Sequence, residues 1–125
     1  MVGLTYISLT NVIEMAQSAE VVVYSIKYAS PMRFISLAAT IAQAVSHGME
    51  RLSRETGGLS FANPGRKISE VFSQIETDLR NMYVLGFTPP SDMRDGTFHK
   101  LDAMTIRPDL VVRSRSGYWA RGNEK

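Results

Sequence analysis

The order of helix and strand patterns between Leu52 and Trp119 most constrains what this chain can fold into. A helix pattern ends at Gly57-Gly58, a short apolar strand pattern follows, and another amphipathic helix pattern begins at Ile68. Strands that alternate with helices are typical of a layered sheet with right-handed crossovers. This part of the sequence therefore predicts an α/β fold.

Three helices are predicted from apolar residues spaced three and four apart. The first begins at a cap formed by Thr10 or Asn11, the second covers about Ile35 to Thr56, and the third covers Ile68 to Met82. The glycine pair after the second helix supplies the positive φ that helix ends often adopt. The residues of the second helix that we expect in the core are Ile35, Ala38, Ile41, Ala42, Val45, Met49 and Leu52.

A pair of opposite charges supports the third helix, and turn residues separate the elements. Glu76 and Arg80 are four residues apart, in the orientation that favours an ion pair on a helix. Ala29-Ser30-Pro31 and Asn63-Pro64-Gly65 are predicted turns, because proline fixes φ and glycine tolerates a positive φ. The boundaries between helices and strands are therefore marked in the sequence itself.

Five strands are predicted. Val21–Ile26 is a continuous β-branched and aromatic run, which is typical of a strand covered on both faces. Leu59–Ala62 and Met82–Thr88 are the next two strands. Thr97–Ile106 and Leu110–Ser114 are expected to form an antiparallel hairpin.

Length and composition limit the class of protein. A chain of 125 residues suffices for one domain with a single core. It contains no cysteine, which excludes disulfides and thiolate chemistry, and its net charge of +2 does not call for a polyanion partner. The least polar segment, residues 34–45, is shorter than the roughly 20 residues that span a bilayer. We expect neither a transmembrane segment nor a signal peptide at Met1.

A set of short motifs follows one order along almost the whole chain. They are Leu9-Thr10, Ala16-Gln17, Val23-Tyr24-Ser25-Ile26, Leu52, Glu55-Thr56-Gly57-Gly58, Phe72, Gln74-Ile75, Asp78-Leu79-Arg80, Tyr83-Val84-Leu85-Gly86-Phe87, Asp95-Gly96, Phe98-His99-Lys100-Leu101, Val112-Arg113, Arg115 and Gly117-Tyr118-Trp119-Ala120. In this order the chain resembles the C-terminal half of a von Willebrand factor type A (vWA) domain. More closely, it resembles the bacterial VWFA-related variant familiar from acidobacteria, which carries a β extension after the sheet.

The resemblance implies an architecture. Residues 1–90 would form a partial Rossmann-like (vWA) layered sheet with flanking helices, without the N-terminal strands and the metal-site loop. Residues 91–120 would form the antiparallel β-hairpin extension, and residues 121–125 a frayed tail. Because Met1 directly precedes the matching part, we expect a truncated fragment that is marginally stable, self-associating or aggregation-prone, or that pairs with the remainder of a vWA domain.

The resemblance also implies a function, but this sequence lacks the motif that binds the metal ion of the family. Type A domains are mostly noncatalytic protein-interaction modules that bind through a Mg²⁺ or Mn²⁺ site, whose Asp-x-Ser-x-Ser loop follows the first strand. That motif is absent from this sequence, so we expect no metal and no other cofactor. Family members are often extracytoplasmic, whereas the chain shows no export signal, so the compartment and the partner stay open.

The basic C-terminal part contains the candidate contact residues. Residues 98–125 include six basic and three acidic residues. Arg113 and Arg115 alternate along a predicted strand and should share one face, and Tyr118 and Trp119 follow them. One interpretation is an Arg-aromatic contact patch for a partner. The other is a structural role, with solvent-facing arginines and a Tyr-Trp pair packed on the sheet.

Other chemistry has less support in the sequence. His47 and His99 lack the cysteine or carboxylate spacing of a zinc site, and Asp92–Gly96 lacks the distal ligands of a calcium loop. Phosphate-binding glycine loops and a Gly-x-Ser-x-Gly nucleophile motif are also absent. We therefore expect no enzyme. The alternative to a protein-interaction module is binding of nucleic acid or another polyanion through the basic hairpin.

Overall fold

The chain is mixed α/β. The computed structural model describes residues 7–28, 36–62, 67–90 and 93–120. In chain order the elements are α1 (Leu9–Ser18), β1 (Ser25–Lys27), α2 (Ser36–Glu55), β2 (Ser60–Ala62), α3 (Ile68–Arg80), β3 (Phe98–Lys100) and β4 (Gly117–Trp119). They form three helices and two small sheets, one parallel and one antiparallel. The turns predicted at residues 29–31 and 63–65 and the tail at residues 121–125 lie outside the described residues.

The helices lie close to their predicted positions. The main chain just past α2 has a φ of 87° at Gly57, as expected for a helix end. On α3, Arg80 forms the predicted ion pair with Glu76 at 2.8 Å. The predicted cap of α1 is wrong, because Ser8 caps this helix and its Oγ accepts the N–H of Asn11 at 3.2 Å. Helix periodicity thus predicts the positions of the helices, whereas the cap of α1 lies two or three residues before the predicted sites.

The parallel sheet is smaller than predicted. β1 pairs with β2 in parallel, with Ile26 opposite Phe61. The predicted strand Val21–Ile26 is wrong over its first four residues, which precede β1. The N–H of Val23 instead donates to the Thr56 hydroxyl at 3.0 Å, so this run is tied to the end of α2 rather than to a neighbouring strand.

The antiparallel sheet pairs different residues from those predicted. β3 lies against β4, with Phe98 opposite Trp119 and His99 opposite Tyr118. The predicted hairpin of Thr97–Ile106 with Leu110–Ser114 is therefore wrong, and residues 101–116 connect the two strands. A Cβ on Gly117 would lie 2.3 Å from Cζ of Phe98 and 2.4 Å from the carbonyl oxygen of His99. This close approach requires glycine, and it fixes β4 as the partner of β3.

The predicted strand at Met82–Thr88 is also wrong. Residues 82–90 follow α3 without regular secondary structure, and most of them are exposed. The ring of Phe87 lies edge-on against Tyr118 of β4, with centroids 5.1 Å apart. Among the described residues, an aromatic contact thus takes the place of the expected strand pairing.

Polar side chains occupy much of the centre. Among the described residues, the buried apolar ones are Ile13, Val71 and Ala120, and the buried polar ones are Gln17, Ser25, Ser53 and Thr56. The Ser53 hydroxyl donates to the Ser25 hydroxyl at 2.9 Å, and Ser25 donates to Ser60 at 2.8 Å. These bonds satisfy the hydroxyls and join α2, β1 and β2.

The predicted core stripe of α2 is wrong over most of its length. Ile41, Val45 and Met49 are 57%, 60% and 42% exposed, and every residue from Ala39 to Val45 is exposed. Leu52 is half-buried, while the side chains of Ile35 and Ala38 lie outside the described part. The apolar periodicity is present, but none of the described elements covers the middle of the helix.

Candidate interaction surface

Arg113 lies on the connection between β3 and β4, not on a strand. Its Nη2 donates to Oδ1 of Asp78 on α3, and the Tyr24 hydroxyl donates to Oδ2 of the same carboxylate. Both members of the ion pair are partly buried. The Asp78 carboxylate therefore joins three segments: the approach to β1, α3 and the β3–β4 connection.

The same cluster changes the acidity of a phenol. Burial, followed by the hydrogen bond to Asp78 and by its negative charge, raises the pKa of Tyr24 to about 12. The Arg113 charge acts in the opposite direction. The phenol is consequently neutral and a hydrogen-bond donor over the whole physiological range.

Arg115 is placed by its main chain. An ideal Cβ on Gly57 would lie 3.1 Å from the main-chain nitrogen of Arg115, so the main chain of Arg115 passes directly over the end of α2. The neighbouring Ser116 N–H donates to the Glu55 carbonyl at 3.2 Å. Within the described part of the chain, the Arg115 guanidinium has no ion pair. Of the two candidate arginines, Arg113 alone has an ion pair within the described ranges.

Tyr118 and Trp119 pack on β3. The Tyr118 ring stacks on the His99 ring with centroids 5.5 Å apart, and the Trp119 ring lies 5.4 Å from that of Phe98. The indole Nε1 of Trp119 is buried and has no hydrogen-bond partner among the described residues. No described hydrogen bond or ion pair joins either aromatic side chain to Arg113 or Arg115. The four candidate residues thus belong to separate contacts.

A polar cluster lies at the start of β3. Oδ1 of Asp95 accepts the N–H of Thr97 at 2.9 Å and its hydroxyl at 2.7 Å, and it lies 3.0 Å from Nε2 of His99. The Thr97 hydroxyl, the Thr97 N–H and then His99 hold the pKa of Asp95 well below its usual range. Sequence reasoning missed this cluster, because Asp95 and Thr97 lie in a bend before β3 that has a positive φ at Gly96 and no strand alternation.

The cluster lacks the geometry of a catalytic triad. In a triad, the carboxylate and the nucleophile contact opposite nitrogens of the imidazole. Here Asp95 and the Thr97 hydroxyl both approach Nε2 of His99, at 3.0 and 3.3 Å. Among the described residues, no group of three or more histidines and carboxylates could hold a metal ion. The arrangement is that of a hydrogen-bonded turn leading into a strand.

An open cleft of about 250 Å³ lies between the end of α2 and the β3–β4 connection. Arg54 and Arg113 line it together with Asp102, so charges of both signs face the space. One of those arginines is already paired with Asp78. The cleft therefore offers little net charge to select a ligand.

The exposed apolar surface is the most extensive feature. Besides the exposed stripe of α2, it includes Phe72 and Leu79 on α3 and the run Tyr83-Val84-Leu85 after it. Exposed apolar patches on a protein surface mark interaction sites.

Comparison with known proteins adds no relative: no protein-family model, curated protein or solved structure matches the chain. Within the described ranges, no helix has the length and apolar character needed to cross a membrane.

Proposed function

We propose that the chain is a noncatalytic protein-interaction module, derived from the C-terminal half of a VWFA-related domain and working without a metal-dependent adhesion site. The observation that supports this most is the exposed apolar stripe of α2, together with the exposed residues of α3 and the run that follows. A helix that is apolar and uncharged on its exposed side is ordinarily covered by another element.

The topology gives further support to the proposed origin. β1 and β2 are parallel and are joined through α2, which makes a βαβ unit. Parallel pairs occur mostly in larger sheets that are covered on both faces. A two-stranded parallel pair with an uncovered helix is therefore suited to completion by a partner.

The polyanion alternative receives less support. Arg107 pairs with Asp109 at 2.6 Å, and Arg113 pairs with Asp78. Two of the basic residues on which that alternative depends are thus neutralised within the chain. Arg94, Lys100 and Arg115 are the remaining basic residues in the described part of the extension.

A comparison of two sets of substitutions tests whether the α2 surface is free for a partner. We expect Ile41→Gln with Val45→Gln to change the free energy of unfolding by less than about 0.5 kcal/mol per site, as for exposed positions. The double variant should also bind less of a fluorescent dye that recognises apolar surface. Val71→Gln, at a buried position of α3, serves as the control and should destabilise the fold by more than about 2 kcal/mol.

The opposite result would contradict the proposed function. If the double variant at α2 is destabilised as strongly as Val71→Gln, and the unmodified chain binds no dye, the stripe is part of a closed core. The chain would then present no apolar surface for a partner.

A further inference from the structure

We propose that Tyr83–Phe87 of one copy adds as a strand to the outer edge of β2 in a second copy of the chain. This inference rests on the proposed function, because it names the partner and the contact that the interaction module uses.

The segment has the composition and exposure of an unpaired strand. Tyr83, Val84 and Leu85 are 88%, 93% and 85% exposed. β-branched and aromatic residues of this kind favour strands, and the sequence contains no charge from Asn81 to Ser91. Such a run of apolar residues in water is a ready template for pairing with another chain.

Its main chain is available for pairing. None of the described backbone hydrogen bonds involves residues 83–89, so their N–H and C=O groups are not used within the described part of the chain. The Phe87 ring, however, lies against Tyr118 of β4. This contact fastens the C-terminal end of the segment to the antiparallel sheet and leaves its exposed part projecting from the molecule.

The edge of β2 is the better acceptor of the two edges of the parallel sheet. The Ser25 N–H donates to the Leu59 carbonyl at 3.0 Å, which identifies the side of β2 that faces β1. Because main-chain groups alternate along a strand, those of Ser60 and Ala62 point to the opposite, outer edge. β2 carries no charged residue, whereas β1 ends in the exposed Lys27, a residue type that discourages edge pairing.

A second copy is the occupant that these features favour. Each copy carries both the uncharged segment and the uncharged edge, so a two-fold axis allows both contacts to form reciprocally.

Two proline variants test the contact. Proline removes a ladder N–H and is excluded from the middle of a paired strand. Val84→Pro should therefore raise the dissociation constant of the dimer by about tenfold or more, measured by light scattering after gel filtration over a concentration series. Val111→Pro is the matched control, because Val84 and Val111 are 93% and 94% exposed and both lie outside helices and strands. The control should dimerise like the unmodified chain.

Hydrogen exchange provides the second measurement. In the unmodified chain and in Val111→Pro, the amides of residues 83–87 should gain protection as the concentration rises. In Val84→Pro these amides should exchange rapidly at every concentration. Circular dichroism should show that Val84→Pro has the same helix content as Val111→Pro. That combination separates loss of the contact from failure to fold.

The contrary outcomes are distinguishable. A dimer that forms equally well with Val84→Pro overturns this inference and leaves the proposed function standing. A chain that is monomeric at all concentrations but binds the apolar dye also overturns the inference, with the surface left for a different protein. A monomer that binds no dye overturns both.

Discussion

The side-chain amide of Gln17 donates to the main-chain carbonyl of Glu55 at 2.9 Å, across 38 residues of sequence. The same amide nitrogen donates to the Ser116 hydroxyl at 3.1 Å. One buried side chain of α1 thus fastens the C-terminal end of α2 to the segment that enters β4. The carbonyls at the C-terminal end of a helix lack hydrogen-bond donors within the helix, and the Gln17 amide is a donor to one of them.

Removal of this amide should destabilise the fold. Gln17→Ala removes the hydrogen bonds that one buried amide donates to the Glu55 carbonyl and the Ser116 hydroxyl. We expect a loss of about 1–3 kcal/mol in the free energy of unfolding. Urea denaturation followed by circular dichroism measures the change. Gln74→Ala on the exposed side of α3 is the matched control and should stay within about 0.5 kcal/mol of the unmodified chain. Equal stability of the two variants would show that Gln17 does not connect these segments.

Tyr24 should make stability depend on alkaline pH. Its folded pKa is raised to about 12 from the usual value of about 10. The stabilising contribution of the Tyr24 phenol is therefore fully present below pH 10, and it is lost as the pH rises through the pKa of the folded state. Melting temperatures between pH 8 and 12 should fall more steeply for the unmodified chain than for Tyr24→Phe. Tyr28→Phe, at an exposed position, should retain the steep fall, and a parallel decline in all three proteins would contradict the prediction.

The close approach at Gly117 should not tolerate a methyl group. Gly117→Ala places a Cβ against the His99 carbonyl and the Phe98 ring, and overpacking of this kind costs about 1–3 kcal/mol. Chemical denaturation would quantify the loss. Gly86→Ala is the natural comparison, because a Cβ there would meet nothing within 4 Å, and its stability should be nearly unchanged. An equally mild effect at both glycines would mean that β3 and β4 are not paired in this register.

Asp95 should stabilise the entry to β3 above its ordinary pKa. Hydrogen bonds from Thr97 and His99 lower the folded pKa of this carboxyl, so its contribution is present above about pH 4 and is lost as the pH falls through the folded value. The difference in melting temperature between the unmodified chain and Asp95→Asn should shrink as the pH falls from 7 to 2. A constant difference for Asp95→Asn would exclude the carboxylate as its source.

Helices could be predicted from this sequence because their pattern is local. The periodicity of α2 and α3, the positive φ of Gly57 and the Glu76–Arg80 pair all depend on residues within a few positions of one another. Strands could be predicted only in part, since their partners are distant. The predicted strand Leu59–Ala62 is confirmed by β2, whereas the other predicted strands are shorter, differently paired or absent among the described residues. The N–H of Val23 finds the hydroxyl of Thr56 rather than a neighbouring strand, and no local pattern reports this.

For the candidate contact residues too, the sequence indicates some features and only the fold shows the others. Arg115, Tyr118 and Trp119 were marked by residue type, but only the fold shows that the two aromatic residues rest on β3. Gln17 had a usable signal, because it follows the buried Ile13 by four residues on the same side of α1. The role of Asp78 had none, since its partners Tyr24 and Arg113 come from opposite ends of the chain.

The hydroxyl chain from Ser53 through Ser25 to Ser60 has a consequence for the alignment of the parallel strands. A slip of β1 by one residue along β2 would bring Tyr24 or Ile26 to the place of Ser25 and leave a hydroxyl buried without a mate. Apolar side chains at these positions would tolerate such a slip better, because hydrophobic contacts are not directional. The hydrogen bonds between these three serines therefore select a single register for two strands that have only three residues each.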